Sequence, residues 1–200
     1  MGVASSSFGD GYILFDNYSS AADPAVTYGV GVPLNGVSGA TGQVGAGLAN
    51  GWTVGIYFAL GTLNITDPAG NGIPNPSLGL GTGPGSTVAV CSSAYNVPGF
   101  FISSTPFDTG GIADDTITAE MVAYSGSSYT TSLYRGHSDP FTMTTYSSGS
   151  VGMENINTGY PNGLVGDYMQ SFSVTPVPEP TSFALGGLSL MVLVLIRRKF

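Results

Sequence analysis

Residues 52–60, with the sequence WTVGIYFAL, alternate large apolar side chains with smaller or more polar ones. In an extended chain successive side chains point to opposite faces, so this alternation gives the segment one strongly apolar face. A period of two is typical of a half-buried β-strand and fits a helix poorly. The segment therefore predicts a strand with one face in a hydrophobic core. The core face consists of Trp52, Val54, Ile56, Phe58 and Leu60, and the other face of Thr53, Gly55, Tyr57 and Ala59.

The same organisation, a short apolar run followed by turn-forming residues, recurs along most of the chain. TITAEMVAY (116–124) places Ile117, Ala119, Met121 and Ala123 on one side, and further candidates are YILFD, STVAVCS, GFFIS, YTTSLY, FTMTTY and YMQSFSV. Gly, Pro, Asn and Asp separate these runs, and residues 61–86 are the longest predicted loop. Only 8% of residues are charged, which leaves few of the Glu, Lys and Arg residues that favour helices. The pattern predicts an all-β fold for residues 1–176, an antiparallel β-sandwich of the jelly-roll kind.

The chain is acidic, and its few positive charges are concentrated in one place. Three of its four basic residues, Arg197, Arg198 and Lys199, lie next to one another near the C-terminus. Without the segment from Pro178 onward, one basic residue, Arg135, remains against eleven acids. Binding to nucleic acid depends on Lys and Arg side chains that neutralise phosphates. This composition therefore excludes a nucleic-acid-binding protein.

Residues 177–200 differ in character from the rest of the chain. Proline occupies positions 176, 178 and 180, and because proline restricts its own backbone and that of the preceding residue, this segment is an extended spacer. The next sixteen residues, 181–196, are uncharged, and as a helix they would be about 24 Å long. The hydrocarbon core of a bilayer is ~30 Å thick, and the basic side chains that follow can extend the reach of a short helix. Clustered positive charge marks the cytoplasmic side, so we predict a single hydrophobic membrane helix with residues 1–176 outside.

The order of these features resembles the PEP-CTERM sorting signal of Gram-negative bacteria. The motif residues are Val177, Pro178, Glu179 and Pro180, and the basic end is Arg197, Arg198 and Lys199. The resemblance implies that exosortase, a membrane-embedded enzyme, recognises the signal and cleaves near the Pro-Glu-Pro motif during export. It also implies a transient anchor in the inner membrane through residues 181–196. The final location would be the cell surface or the extracellular matrix, in association with exopolysaccharide and biofilm.

Residues that commonly act as bases or nucleophiles are few. His137 is the single histidine, and Ser138 and Asp139 follow it directly, which is not the spatial arrangement that a hydrolytic triad needs. We interpret His137 as a turn residue. Cys91 is the single cysteine, so neither an intrachain disulfide nor a cysteine zinc cluster can form. Its strand-like surroundings favour a buried free thiol.

A pair of carboxylates is a second possible type of catalytic site, because paired carboxylates hydrolyse glycans. Asp114 and Asp115 are typical of a turn, however, and we expect Glu120 on the solvent-exposed face of its strand. The loops at residues 67–72 and 108–115 carry oxygen ligands of the kind that Ca²⁺ prefers, although neither matches a calcium motif. The sequence therefore predicts no catalytic residue and no cofactor, with calcium as an open alternative.

Aromatic side chains could bind sugars by stacking on them. Tyr124, Tyr129, Tyr134 and Tyr146 are the candidates for an exposed position, although cross-strand packing explains them equally well. Trp52 is expected in the core. The tyrosines alone therefore do not identify a ligand.

Together these features predict an exported protein that is associated with the cell surface or matrix, with a structural or binding module as its body. Two alternatives stay open: a secreted carbohydrate-active enzyme, and a single-pass membrane protein whose tail is not cleaved. An enzyme would gather two carboxylates, or a His-Ser pair, in a concave site. Residues 1–17 lack the charged segment and apolar run of a secretory signal, so we expect such a signal to be encoded upstream of Met1.

Overall fold

The computed structural model describes residues 10–18, 24–91, 97–147 and 168–178. Within these ranges the chain forms β-strands and turns, without a helix. The strands are β1 (Asp10–Ile13), β2 (Val26–Tyr28), β3 (Thr53–Leu60), β4 (Gly79–Leu80), β5 (Thr87–Ala89), β6 (Phe107–Ile112), β7 (Thr116–Tyr124), β8 (Tyr134–His137), β9 (Phe141–Thr144), β10 (Tyr146–Ser147) and β11 (Phe172–Pro176). The predicted all-β class is confirmed for the described residues.

The strands form two sheets. The smaller sheet has the order β10-β1-β6, and the larger has the order β2-β11-β8-β7-β3-β4, with β5 also paired to β3 and β9 to β7. The pairing of β2 with β11 is parallel, with Val26 opposite Phe172; the other strand pairs are antiparallel. The expectation of a wholly antiparallel fold was therefore wrong at this pair. A parallel pair needs a long crossover connection, and here most of the chain lies between the two strands.

The long pairing between β3 and β7 runs from Thr53 opposite Tyr124 to Leu60 opposite Ile117. The period-two prediction is confirmed at Trp52, Val54 and Ile56, which are buried. It was wrong at Leu60, the last residue of β3, which is 50% exposed; the pairing of β3 with β4 ends at Phe58, so β4 does not flank Leu60. The equivalent prediction for β7 is confirmed, since Ile117, Ala119, Met121 and Ala123 are fully buried in the main core.

The two sheets contribute side chains to one hydrophobic core. Phe107 on β6 contacts Phe58 on β3, with 5.4 Å between the ring centroids, and Phe15, with 6.0 Å. Both contacts have the edge-to-face geometry that aromatic pairs prefer. The aromatic contact therefore joins the smaller sheet to the larger one.

Residues 61–78, which we call the covering loop, lie over the face of β7 that points away from this core. The Leu63 N–H donates to Thr118 Oγ1 (2.8 Å), and the Asn75 N–H donates to a carboxylate oxygen of Glu120 (3.2 Å). A second apolar cluster lies here, with Leu63 and Ile65 packed against it; its buried members are Tyr57, Leu78, Val122, Tyr124 and Tyr129. The sheet is therefore buried on both faces at β7.

Some predicted strands are absent because turns replace them. Residues 99–103 form only an isolated bridge, between Ile102 and Asp16, and residues 129–133 are turns rather than a strand. Cys91 lies after β5 in a turn with a φ of 59°, rather than within a strand. Its thiol is free and half-buried, and it donates to the Leu48 carbonyl (3.3 Å).

The hydrophobic helix expected at residues 181–196 lies outside the described residues. Among the residues that the structure does describe, none belongs to a helix long and apolar enough to span a bilayer.

Candidate functional site

The folded body ends where the predicted sorting motif begins. Thr175 and Pro176, at the end of β11, pair with β8. The next residue, Val177, donates its N–H to the Leu133 carbonyl (2.8 Å) and is half-buried. Pro178 is exposed. After the last strand of the sheet, the chain therefore reaches the surface at Pro178, the first proline of the Pro-Glu-Pro motif.

The remaining residues of the predicted sorting signal lie outside the described part of the chain. These are Glu179 and Pro180 of the motif and the basic end, Arg197, Arg198 and Lys199. Their roles remain predictions from the sequence.

A second feature is a cluster of three ionisable side chains where the covering loop meets β7 and β8. Asp67, Glu120 and His137 each place one ligand atom within 4.8 Å of the other two. Glu120 is 0% exposed and His137 is 2% exposed, while Asp67 is half-buried. Buried groups of this kind are uncommon unless they are paired or bind a ligand.

The fold brings these residues together from distant parts of the chain. Glu120 lies in the middle of β7, and His137 ends β8, which is paired with β7. Gly70 of the covering loop exchanges two backbone hydrogen bonds with His137, of 3.2 and 2.7 Å. Asp139 accepts a further hydrogen bond from the Ala69 N–H (2.8 Å). These bonds hold the loop, and with it Asp67, above the two strands.

Burial strongly affects the carboxyl group of Glu120. Its Oε2 atom accepts the hydrogen bond from Asn75, whereas its Oε1 atom is buried without a hydrogen-bond partner. Burial raises the pKa of Glu120 to about 7, the Asn75 hydrogen bond opposes that rise, and the negative charges of Asp67 and Asp139 add to it. A buried acceptor without a partner carries a desolvation cost of roughly 1–3 kcal/mol.

The imidazole of His137 has a defined tautomer. Its Nδ1 atom lies 3.0 Å from the Ser138 carbonyl oxygen and 3.8 Å from Oε2 of Glu120. Because a carbonyl only accepts, Nδ1 carries the proton and donates to Ser138, which leaves the lone pair of the neutral ring on Nε2. Nε2 faces the covering loop, since a Cβ atom added at Gly70 would lie 3.6 Å from it.

Arg135 is buried close to the cluster, but its hydrogen bonds go to backbone carbonyls. Its Nε donates to Asn71 (2.9 Å), and its Nη1 donates to Tyr129 (3.0 Å) and Thr130 (2.8 Å). The guanidinium also lies over the Tyr129 ring, 5.1 Å from the centroid. Asn71 in turn donates its side-chain amide to the carbonyl of Pro176 (2.8 Å). Arg135 therefore links the covering loop to β8, and the loop is bonded to the end of β11.

Two sequence predictions at this site were wrong. Glu120 is buried rather than solvent-exposed, because the covering loop lies over its face of β7. His137 belongs to β8 rather than to a turn. One signal pointed to this: Val122 and Tyr124, which share the face of Glu120, are too apolar for a fully solvated surface.

The other candidate site residues from the sequence do not belong to this cluster. Asp115 accepts a hydrogen bond from the Ile112 N–H (3.3 Å) in the turn between β6 and β7, and Asp114 adopts a φ of 66° there, so both are turn residues as predicted. Tyr124 and Tyr129 are buried, so of the two explanations left open for these tyrosines, packing applies to both. Tyr134 and Tyr146 are half-buried.

Comparisons with known proteins bear on the C-terminal segment. Residues 176–199 match the family profile of the PEP-CTERM protein-sorting motif. Comparisons with curated proteins and with solved structures gave no match. The matched segment begins at Pro176, the last residue of β11. The motif supports exosortase-dependent sorting and implies export to the cell envelope or surface. Residues 176–199 are therefore a PEP-CTERM protein-sorting motif, and the chain carries the signal of an exported, exosortase-sorted protein.

Proposed function

We propose that this chain is a protein of the cell surface or extracellular matrix whose tail directs sorting and whose body is a structural or binding module. The observation that carries the proposal is the position of the motif. It begins at Pro176, where β11 ends, and Pro178 is already exposed. The exposed position of Pro178 favours access of a membrane enzyme to the start of the Pro-Glu-Pro motif.

For the tail, we propose that residues 181–196 form a short membrane helix and that Arg197, Arg198 and Lys199 stay on the cytoplasmic side. This arrangement follows from the uncharged run and from the preference of clustered basic residues for the cytoplasm. Exosortase then cleaves near Val177–Pro180 and releases the anchor. An association of the released body with exopolysaccharide or biofilm belongs to the same proposal.

For the body, we propose an antiparallel sandwich of the jelly-roll kind, apart from the parallel pair of β2 and β11. The aromatic contact between Phe58 and Phe107 supports it, because one side chain comes from each sheet. A core shared by two sheets is the arrangement that sandwich domains use.

We also propose that the body is not an enzyme. Glu120 is fully buried beneath the covering loop, so a glycan would have to displace that loop before it could touch the carboxyl group. Asp114 and Asp115 lie in the turn that connects β6 to β7. These positions favour a structural or binding module over a carbohydrate-active enzyme, which needs accessible paired carboxylates.

The experiment is processing in a host that produces exosortase, read out by mass spectrometry of the mature C-terminus. We expect wild-type protein to end near Val177–Pro180. Glu179→Ala, or deletion of residues 197–199, should leave full-length chain in the membrane fraction. Ser189→Ala, a mild change in the apolar run, is the matched control and should be processed normally. Recovery of an intact Phe200 terminus from wild-type protein would refute cleavage and would favour the single-pass membrane alternative.

A further inference from the structure

We propose that Asp67, Glu120 and His137 bind one divalent transition-metal ion, for which Zn²⁺ is the best match. In this site the ion fastens the covering loop to β7 and β8. The site is separate from the sorting motif and from any role in its processing.

The geometry of the three side chains fits one ion after a small closure. Their ligand atoms lie within 4.8 Å of one another, whereas two ligands on one tetrahedral Zn²⁺ ion lie about 3.4 Å apart. Glu120 and His137 are fixed on paired strands. Asp67 comes from the covering loop and is half-buried, so its side chain can supply most of the movement.

The charged groups around Glu120 favour the binding of a cation. Oε1 of Glu120 is buried and has no hydrogen-bond partner, and the negative charges near Glu120 are those of Asp67 and Asp139. The guanidinium of Arg135, the single Arg or Lys among the described residues, donates to three backbone carbonyls of residues 71, 129 and 130. A bound cation would supply the partner that Oε1 lacks and would offset the burial of the carboxylates.

The donor set selects the class of metal. Calcium and magnesium prefer oxygen ligands, whereas an imidazole nitrogen combined with carboxylates suits zinc and related ions. The Nδ1 atom of His137 lies 3.8 Å from Oε2 of Glu120 and 3.0 Å from the Ser138 carbonyl oxygen. A hydrogen bond from Nδ1 to that carbonyl is the support that metal-binding histidines commonly have. The ion then binds through Nε2, on the side of the ring that faces the covering loop and so the element that carries Asp67. Calcium at residues 67–72 was an open alternative from the sequence; the site proposed here shares Asp67 with that loop but takes a different metal.

The test uses the full-length chain in detergent, stripped with a chelator, desalted and titrated with ZnCl₂. Calorimetry should give one saturable site per chain. Because His137 is the single histidine, the nitrogen NMR spectrum contains one imidazole, and Zn²⁺ should shift its Nε2 resonance. Zn²⁺ should also slow proteolytic cleavage within the covering loop, and an equal concentration of Ca²⁺ should do neither.

Three variants decide the assignment. Glu120→Gln and His137→Gln should each weaken Zn²⁺ binding about tenfold or more, while Asp115→Asn, which removes one carboxylate from the β6–β7 turn, should leave it unchanged. If either buried variant fails to fold, Asp67→Asn on the half-buried loop position must show the same loss. An absence of saturable binding, an unshifted imidazole, or equal affinity in Asp67→Asn and Asp115→Asn would overturn the proposal.

Discussion

The two faces of β7 are both buried, yet they carry different kinds of side chain. The face toward the main core carries Ile117, Ala119, Met121 and Ala123, and none of these needs a hydrogen-bond partner. The opposite face carries Thr118, Glu120, Val122 and Tyr124, so it combines a hydroxyl and a carboxyl group with two larger, mainly apolar side chains. A second sheet helps to enclose the first face, whereas a loop covers the second.

This difference shows that burial can be achieved with two kinds of interaction. Against the main core, apolar packing is sufficient. Beneath the covering loop, polar groups form individual hydrogen bonds, with Oε1 of Glu120 as an exception: Thr118 accepts from Leu63 and donates to Gly61, and Tyr129 donates its hydroxyl to Gly72 (2.8 Å). A loop has many free backbone groups, so the face beneath it must offer polar partners as well as apolar area.

The largest expected effect comes from a charge in the main core. Ile56 is fully buried opposite Met121, so Ile56→Asp would leave a carboxylate without a partner in an apolar interior. We expect no folded protein, measured as the yield of protease-resistant full-length chain. Thr53→Asp, at a half-buried position on the same strand, should fold. Similar yields for both variants would contradict the asymmetry between the faces.

A cavity on the same face should have a smaller effect. Met121→Ala removes a fully buried side chain and should lower the free energy of unfolding by about 2–5 kcal/mol. Urea denaturation of the full-length chain in detergent measures this change. A loss below 1 kcal/mol would mean that the core face of β7 is less tightly packed than its burial indicates.

On the loop-covered face, stability should depend on pH in the metal-free chain. The pKa of Glu120 rises from 4.5 to about 7 on folding, so the folded chain holds this proton more tightly than the unfolded chain. The stabilisation is therefore fully present below pH 4.5 and is lost as the pH rises through 7. With a chelator present, we expect about 2–3 kcal/mol of this loss to belong to Glu120.

The matched variant for the pH effect is Glu120→Gln, which keeps the shape of the side chain but cannot titrate. Its free energy of unfolding should vary less between pH 4.5 and 8 than that of the wild type, by about the same 2–3 kcal/mol. Parallel pH profiles for the two chains would show that folding does not change the pKa of Glu120.

The smallest expected effect is the loss of one hydrogen bond beneath the loop. Tyr129→Phe removes the hydroxyl that donates to Gly72 and keeps the ring over which Arg135 lies. We expect a loss of about 0.5–1.5 kcal/mol in the free energy of unfolding, together with faster proteolysis of the covering loop. An unchanged cleavage rate would mean that other contacts hold the loop without this bond.

The sequence predicted the inner face of the fold well and the outer face poorly, for a physical reason. The alternation in β3 and β7 is a local property, so Ile56 and Met121 could be assigned to the core from their neighbours alone. The burial of Glu120 and His137 depends on where residues 61–78 pass, which is set by hydrogen bonds between Gly70 and His137 and between Asn75 and Glu120. No local pattern encodes such distant pairs.

Two further differences between the predicted and the observed fold also depend on contacts that no local pattern encodes. The parallel pairing of β2 with β11 joins segments far apart in the chain, and the exposure of Leu60 depends on where the pairing of β3 with β4 ends, at Phe58. The sorting motif, in contrast, is contiguous, so its family could be recognised from the sequence: the match covers residues 176–199, and residues 177–200 were predicted. The metal-binding cluster consists of three residues that were each noticed in the sequence, but only the fold brings them together.

The place of β11 in the larger sheet has a consequence for the timing of folding. β11 lies between β2 and β8, and its Ser173 hydroxyl is 2.7 Å from that of Thr27, across a separation of 146 residues. Closing so long a loop is slow compared with forming hairpins. A chain that emerges N-terminus first can form β3 and β7 early, and β2 can bond to residues 46–48, but β11, its partner in the larger sheet, is the last of the described strands to emerge. The larger sheet is therefore completed only when the chain has emerged as far as Pro176, the residue at which the sorting motif begins.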